Sequence, residues 1–358
     1  MENLSEAPAG NRLSIALDCE HERQSEAGIS RTARSLAEAL ERRSDVVLHR
    51  LGGGPAVPRD TLQKRLVTIR QDLWWYPFAG RRAARRLHAD VYHCPTPRAP
   101  ARKGTTPLVV TIHDLASFRF PETLTTWTRH YERAMLPRVA KAADRILTPS
   151  ENTADDVQSI LGVRALKIRV VPNGVDAGFF RADESRSPLP FPYVLFVGTP
   201  QPRKNLARLA EAVEKLRVFG HDLRLVVAGA DGWGGVRLSE SSAHMLGRVS
   251  DLELRTLYQH AECLALVSLH EGFGLPALEA MAMGTPVVAS RAAALPEVVG
   301  EAGVLVDPLS SDTIAAGILE AVERKAELTT AGRQRASGFS WELAAERTVA
   351  VYREVASV

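Results

Sequence analysis

Residues 263–290, "CLALVSLHEGFGLPALEAMAMGTPVVAS", read as one strand, turn, helix and second strand. The run "CLALVSL" is apolar and strand-length, too short for a buried helix. The turn "HEGFG" follows, and Pro276 suits a first helical position, so the spacing predicts a helix from Leu275 or Pro276 that Gly284 ends. "PVVAS" then returns as another short apolar run. Two buried strands joined by a helix make a parallel pair, because a parallel crossover needs a dozen or more residues.

The same alternation runs along the whole chain. "RLSIALD", "DVVLHRL", "DVYHC", "PLVVTIHD", "RILTPS" and "KIRVVPNGV" precede a lapse in period at "DAGFFRADESRSPLPFP". "PYVLFVG", "LRLVVAG", "HMLGRV", "CLALVSL", "PVVASR" and "GVLVDP" follow it. This predicts an α/β protein of two Rossmann-like parallel-sheet domains facing a cleft. The expected division is 1–176, a linker over 177–192, 193–340, and a C-terminal helix over 341–358. A chain of 358 residues with 45% hydrophobic and 24% charged residues can fill two such cores.

Composition narrows the function classes. The longest apolar runs fall well short of the roughly 18 residues of a membrane span, and the N-terminus lacks the pattern of a secretory signal. A cytoplasmic protein is expected. Cys19, Cys94 and Cys263 have no ligand spacing and read as buried free thiols. Lys and Arg minus Asp and Glu is 27 − 20 = +7 over residues 1–180 and 18 − 22 = −4 beyond them, so the first half carries the basic surface. Eight Lys or Arg residues between Arg59 and Arg86 are interleaved with Trp74, Trp75, Tyr76 and Phe78. Peripheral contact with an anionic membrane through the N-terminal domain is one expectation, and an ordinary solvated helix is the other. No nucleic-acid partner is expected.

Neither G-x-G-x-x-G nor G-x-x-x-x-G-K-[ST] occurs, which argues against a nicotinamide dehydrogenase and a P-loop NTPase. No H-E-x-x-H or D-x-D supports a metal site, and no cofactor is expected. The chemistry-bearing signals fall at predicted strand ends. Gly272 and Gly274 let the backbone approach a ligand, and the free N–H groups of the helix that follows suit a diphosphate. Glu271 and Glu279 flank that seat as hydroxyl acceptors for a nucleotide sugar, or simply favour the helix dipole. In "VLFVGTPQPRKNL" a strand ends at Gly198 and the next loop brings Arg203 and Lys204, either a pair for a departing diphosphate or an exposed basic turn. "TIHDL" puts His113 at a strand end, and "SEAGISRTARSL" puts Gly28 between a strand and a helix. Asn173 and Gly174 read as a structural turn.

Together these segments resemble the retaining glycosyltransferases of family 4, whose two-Rossmann architecture is called GT-B. The resemblance is carried by "EGFGLPALEAMAMGTPVVAS", which is similar to the family's E-x7-E region, and by "VGTPQPRKNL", "VPNGVD", "LGRVSDLELRTLYQHAE", "TIHDL" and "AGISR". The segment "FSWELAAERTVAVYREV" resembles the helix that closes the second domain. The resemblance implies that Glu271 contacts the donor sugar and Glu279 the ribose, that Phe273, Gly274 and Leu275 offer backbone groups, and that Arg203 and Lys204 bind the diphosphate. It further implies that His113 reaches the sugar from the other domain and that the backbone near Val249 meets the base. Thr199 stands where many members have an arginine, and Ala27 with Gly28 replaces a double glycine on the acceptor side. The implied reaction moves a hexose, with GDP-mannose as the expected donor, to a glycan, lipid or small-molecule acceptor without a metal. A nucleotide sugar epimerase and a non-catalytic binding protein are the alternatives.

Overall fold

The computed structural model describes residues 12–23, 28–55, 57, 62–123, 126–181, 186–230 and 242–357. Each of the twelve apolar runs becomes a strand. β1 (Leu13–Asp18), β2 (Val46–Leu51), β3 (Val91–Cys94), β4 (Leu108–Thr111), β5 (Arg145–Thr148) and β6 (Ile168–Val170) form one sheet in the order 2-1-3-4-5-6. β7 (Tyr193–Val197), β8 (Arg224–Ala228), β9 (His244–Gly247), β10 (Cys263–Leu266), β11 (Val287–Ser290) and β12 (Val304–Val306) form the other, ordered 12-11-10-7-8-9. All pairings among the described residues are parallel. Inner strands such as β3, β10 and β11 are buried on both faces, as helices on both sides of a parallel sheet require, while the edge strands β2 and β9 stay partly exposed.

In the second sheet the helices Leu206–Val218 and Ser311–Glu323 cover one face, while Asp251–His260 and Leu275–Met283 cover the other. The helix Leu275–Met283 begins and ends where the sequence predicts, with Gly274 at φ 107° and Gly284 at φ 85°, backbone that glycine adopts without strain. Every residue from Ala277 to Met283 is buried, because this helix is apolar almost all round and lies between the sheet and the helix Lys325–Ser337. Its one carboxylate, Glu279, therefore needs partners within the protein.

The chain crosses to the second sheet after β6 and returns at its end. The C-terminal helix Trp341–Ala356 does not close the second half, as the sequence reading expected. Its buried face, including Trp341, Ala345, Val349 and Tyr352, packs with Ile15, Val91, Val109 and Leu147 of the first sheet. Arg145 and Arg169 hold Glu354, and Arg353 holds Asp45. Gly174 is required by this return, since a Cβ there would collide with the backbone of Trp341. The turn at Asn173 and Gly174 is thus structural. Cys19, Cys94 and Cys263 are buried free thiols, and among the described residues no helix is long and apolar enough to span a membrane.

Candidate active site

A cavity of about 760 Å³ lies between the two halves at the carboxyl ends of their strands. Gly28 and His113 line it from the first half, and Gly198, Thr199, Arg203, Lys204, Val249, Glu271, Phe273, Gly274, Leu275 and Glu279 from the second. These twelve candidate site residues therefore border one cavity. A cavity of about 860 Å³, bordered by Lys103, Lys141, Asp144 and Lys167, lies at the amino ends of β4–β6. Ligand sites of open parallel sheets lie at the opposite end, at the point where strand order reverses, so the smaller cavity is the candidate.

That reversal falls between β7 and β10. The loop after β7 turns through Gly198 (φ 141°) and Asn205 (φ 58°). The Asn205 amide donates to the carbonyls of Val267 (3.0 Å) and Pro308 (2.6 Å), and Leu269 N–H donates to Arg203 O (2.8 Å). These bonds lash the two loops together and place two cations against one carboxylate. Arg203 Nη1 donates to Glu271 Oε2 (3.3 Å) and to His270 O (2.9 Å), Lys204 Nζ bonds Glu271 Oε1, and Ser268 Oγ donates to the same oxygen (2.7 Å). Burial pushes the Glu271 carboxyl up, but Lys204 and Arg203 outweigh it and hold the group down at about 2. Burial pulls Lys204 down, opposed by Glu271. The cluster of two cations and one anion keeps a charge of +1 beside the start of the helix Leu275–Met283, a combination suited to an anion, although Pro276 has no N–H and the Ala277 N–H is spent on Gly274 O (2.9 Å).

Glu279 has a different shell. Tyr258 Oη donates to its Oε2 (2.9 Å), and Arg31 of the helix Gly28–Glu41 reaches across the cavity to its Oε1. Arg31 also lies 3.8 Å from Asp251. Gly28 starts that helix with nothing near the position of a Cβ, so it opens onto the cavity.

His113 Nε2 lies 2.9 Å from Pro95 O, a partner that only accepts, which leaves Nδ1 as the ring's acceptor. Burial lowers its pKa, so the ring is neutral. His93 is its structural counterpart. Both its nitrogens are engaged in the core, by Tyr352 Oη (2.6 Å) and Thr111 Oγ1 (2.9 Å), and it borders no part of the cavity.

Gly272 borders the cavity and also has a structural role. A Cβ there would collide with the His113 carbonyl oxygen, so glycine is needed for the two halves to touch. Ser150 Oγ donates to Gly272 O (2.7 Å), and Glu297 accepts the backbone N–H groups of Glu151 (2.9 Å) and Asn152 (3.0 Å) at the start of the helix Glu151–Leu161. Sequence reasoning missed Arg31, Tyr258 and Ser268. Arg31 stands inside the quoted "AGISR", where a cation one turn into a helix after β1 was the available signal. Among the described residues no group of three or more His, Cys, Asp or Glu is placed to hold a metal ion.

The model of Glycosyltransferase Family 4 matches residues 27–179, and that of Glycosyl transferases group 1 matches 191–324. The chain is 32% identical over 315 residues to O-antigen chain mannosyltransferase B of Escherichia coli, a match spanning 81% of this chain and 78% of that protein. It is 37% identical over 233 residues to the MMP alpha-(1->4)-mannosyltransferase of Mycolicibacterium hassiacum, there covering 62% of this chain and only 56% of the relative. Among solved structures, Anabaena HepE in complex with UDP and glucose superposes with a TM-score of 0.69 at 18% identity, over 96% of this chain and 100% of that one, a likeness of fold. With two parallel sheets facing a polar cleft and these matches across both halves, the chain belongs to the GT-B glycosyltransferases of family 4.

Proposed function

We propose that this glycosyltransferase moves mannose from GDP-mannose to a hydroxyl of a glycan or glycolipid acceptor, retaining the anomeric configuration and using no metal. The observation that carries the reading is the Arg203–Lys204–Glu271 cluster beside the helix start. A departing diphosphate gathers negative charge as the glycosidic bond breaks, and preorganised donors stabilise charge that develops in the transition state. The cation pair supplies what a metal would otherwise supply. In this reading Glu279 takes the ribose, the backbone near Val249 the base, Phe273, Gly274 and Leu275 the sugar and phosphates, and Gly198 and Thr199 border the diphosphate. Neutral His113 accepts a sugar hydroxyl from the first half, and Gly28 opens the acceptor side. Attack comes from the face the diphosphate leaves, with the leaving phosphate taking the acceptor's proton. The mannosyltransferase names of two relatives favour mannose, and a cytoplasmic setting belongs to the same proposal.

The test is incubation with labelled GDP-mannose, or UDP-glucose as competitor, and an oligosaccharide acceptor, with the product's anomeric proton read by NMR. Mannosyl transfer with the donor's configuration is expected. Inverted product would overturn retention, and preferred transfer of glucose would overturn the donor. Epimer formed without acceptor would replace the transferase with an epimerase, and donor binding with neither transfer nor hydrolysis would leave a binding protein.

A further inference from the structure

Residues 62–86 form one unbroken helical run: an α-helix Leu62–Arg70, a π-wound stretch Gln71–Ala79 and an α-helix Gly80–Arg86. Its inner side is pinned to the end of β1. Trp75 Nε1 donates to Asp18 Oδ2 (2.8 Å), Gln71 Nε2 to Glu20 O (2.8 Å), Arg98 Nη1 to Asp72 Oδ1 (2.7 Å), and Gly80 lies against the Tyr92 hydroxyl, where a Cβ would collide. The outer side carries Leu62, Leu66, Ile69, Leu73, Trp74 and Phe78, each between 51% and 72% exposed. Positions 62, 66, 69 and 73 follow helical spacing, so this is a stripe rather than a scatter. With Leu87, the run holds seven of the fifteen large apolar side chains exposed among the described residues.

Two observations say what covers the stripe. Between residues 62 and 89 stand seven cations, Lys64, Arg65, Arg70, Arg81, Arg82, Arg85 and Arg86, while the one carboxylate there, Asp72, is buried against Arg98. Arg70 is spent on the buried Glu20 and Arg81 on the Arg102 carbonyl, which leaves Arg65, Arg82, Arg85 and Arg86 exposed on this face; a second copy would set like charge against like, whereas an anionic surface complements them. An apolar face flanked by Lys and Arg, with a Trp at its edge, is the composition of a helix lying in a lipid headgroup layer. We propose that residues 62–87 are the surface by which this enzyme docks on anionic membranes, the apolar stripe entering the headgroup region and the arginines lying on lipid phosphates. This specifies the expectation drawn from the arginine-rich segment; Arg59, its first residue, lies outside the described residues. Because the run is fastened to Asp18 and Glu20 at the carboxyl end of β1, docking brings the mouth of the cleft to the bilayer, where a lipid-linked acceptor would stand.

The experiment is co-sedimentation of the full chain with vesicles of phosphatidylcholine, with and without phosphatidylglycerol. Binding is expected to the anionic vesicles, with a blue shift of tryptophan emission, and to weaken as salt rises. A Leu66→Glu/Leu73→Glu/Phe78→Glu variant should bind the anionic vesicles at least about tenfold more weakly. Its circular dichroism, GDP-induced thermal shift and transfer to a soluble acceptor should stay unchanged, because these side chains stand in solvent and outside the cleft. Failure to sediment with anionic vesicles would overturn the proposal. So would undiminished sedimentation of the folded variant, or a lipid-free dimer that the variant abolishes. None of these results bears on transfer to a soluble acceptor, so the docking surface and the catalytic reading fail separately.

Discussion

Glu271 and Glu279 stand eight positions apart on one turn and helix, yet they are held in opposite ways. Everything that binds Glu271 comes from the second half: Arg203, Lys204 and Ser268, on loops that Asn205 ties together. Glu279 is bound by Tyr258 from its own half and by Arg31 from the other. The first carboxylate belongs to a site that exists before the cleft is complete. The second is finished only when the first half is in place, so its surroundings report how the halves sit. A preformed cluster serves chemistry, which gains from donors already in place. A shell shared across a cleft serves binding and closure.

The largest expected effect is on the preformed side. Arg203→Ala with Lys204→Ala should lower kcat on the order of 100-fold to 1,000-fold or more, since in the proposed reaction each removes a donor to the leaving diphosphate. The structure adds a consequence the sequence did not carry. The double variant strands the buried Glu271 carboxylate, and a buried charge that loses its partner typically costs about 3–5 kcal/mol. Adding Glu271→Gln should restore much of the melting temperature without restoring kcat. If the triple variant recovers both, the cluster is only a fold element.

Glu271→Gln alone should lower kcat as well if, as proposed, Glu271 contacts the reacting sugar, because such a contact changes as the ring gains charge. Its pH signature follows from the folded pKa of about 2, below the ordinary 4.5. A depressed carboxyl contributes stability that is fully present above the ordinary value and is lost as pH falls through the folded one. The stability gap between wild type and Glu271→Gln should thus be flat above about pH 4.5 and close between about 4.5 and 2 in urea melts. A gap unchanged at pH 2 would mean that charge is not what the cations hold.

On the other side, the proposed ribose role of Glu279 means that Glu279→Gln should raise KM for the donor severalfold with little loss of kcat, since a contact far from the breaking bond is about equal in ground and transition states. Steady-state kinetics with varied donor decides it. Equal losses of kcat in the two glutamine variants would erase the contrast between the carboxylates.

How much of this was legible depends on the range of the interaction. Twelve apolar runs announce twelve strands, because burial on both faces of a parallel sheet is written locally. Pro276 and Gly284 bound their helix by backbone preference alone, which is local too. The lining of the cavity was readable because strand ends, glycines and charges cluster there. The pairing of Arg31 with Glu279 joins residues 248 positions apart, and no local pattern encodes it. Nor does an amphipathic helix say which core takes its apolar face, and so Trp341–Ala356 was assigned to the wrong half. The contact of Gly272 with the His113 carbonyl was not readable, because sequence shows the need for a bare backbone and not everything that approaches it.

The smallest effect tests the shared shell most directly. A carboxylate has about four acceptor sites. Arg31 and Tyr258 each engage one oxygen of Glu279, so acceptor sites remain for the ribose hydroxyls of the proposed donor, with Arg31 orienting the group in that reading. Arg31→Ala should therefore raise the donor KM, by less than Glu279→Gln does, while kcat holds. The Arg31 side chain keeps 30% of its surface in solvent, against 14% for Arg203 and 12% for Lys204. Salt screens exposed pairs more than buried ones. The KM difference between wild type and Arg31→Ala should then shrink as salt rises, whereas the kcat loss of the Arg203 and Lys204 variants should not. A double-mutant cycle of Arg31→Ala with Glu279→Gln should be non-additive, because the two residues share one contact. Strictly additive effects would show that Arg31 and Glu279 act independently. A lower KM in Arg31→Ala would show that Arg31 competes with the donor for Glu279, and the shell would then be a latch to be opened rather than one completed by closure.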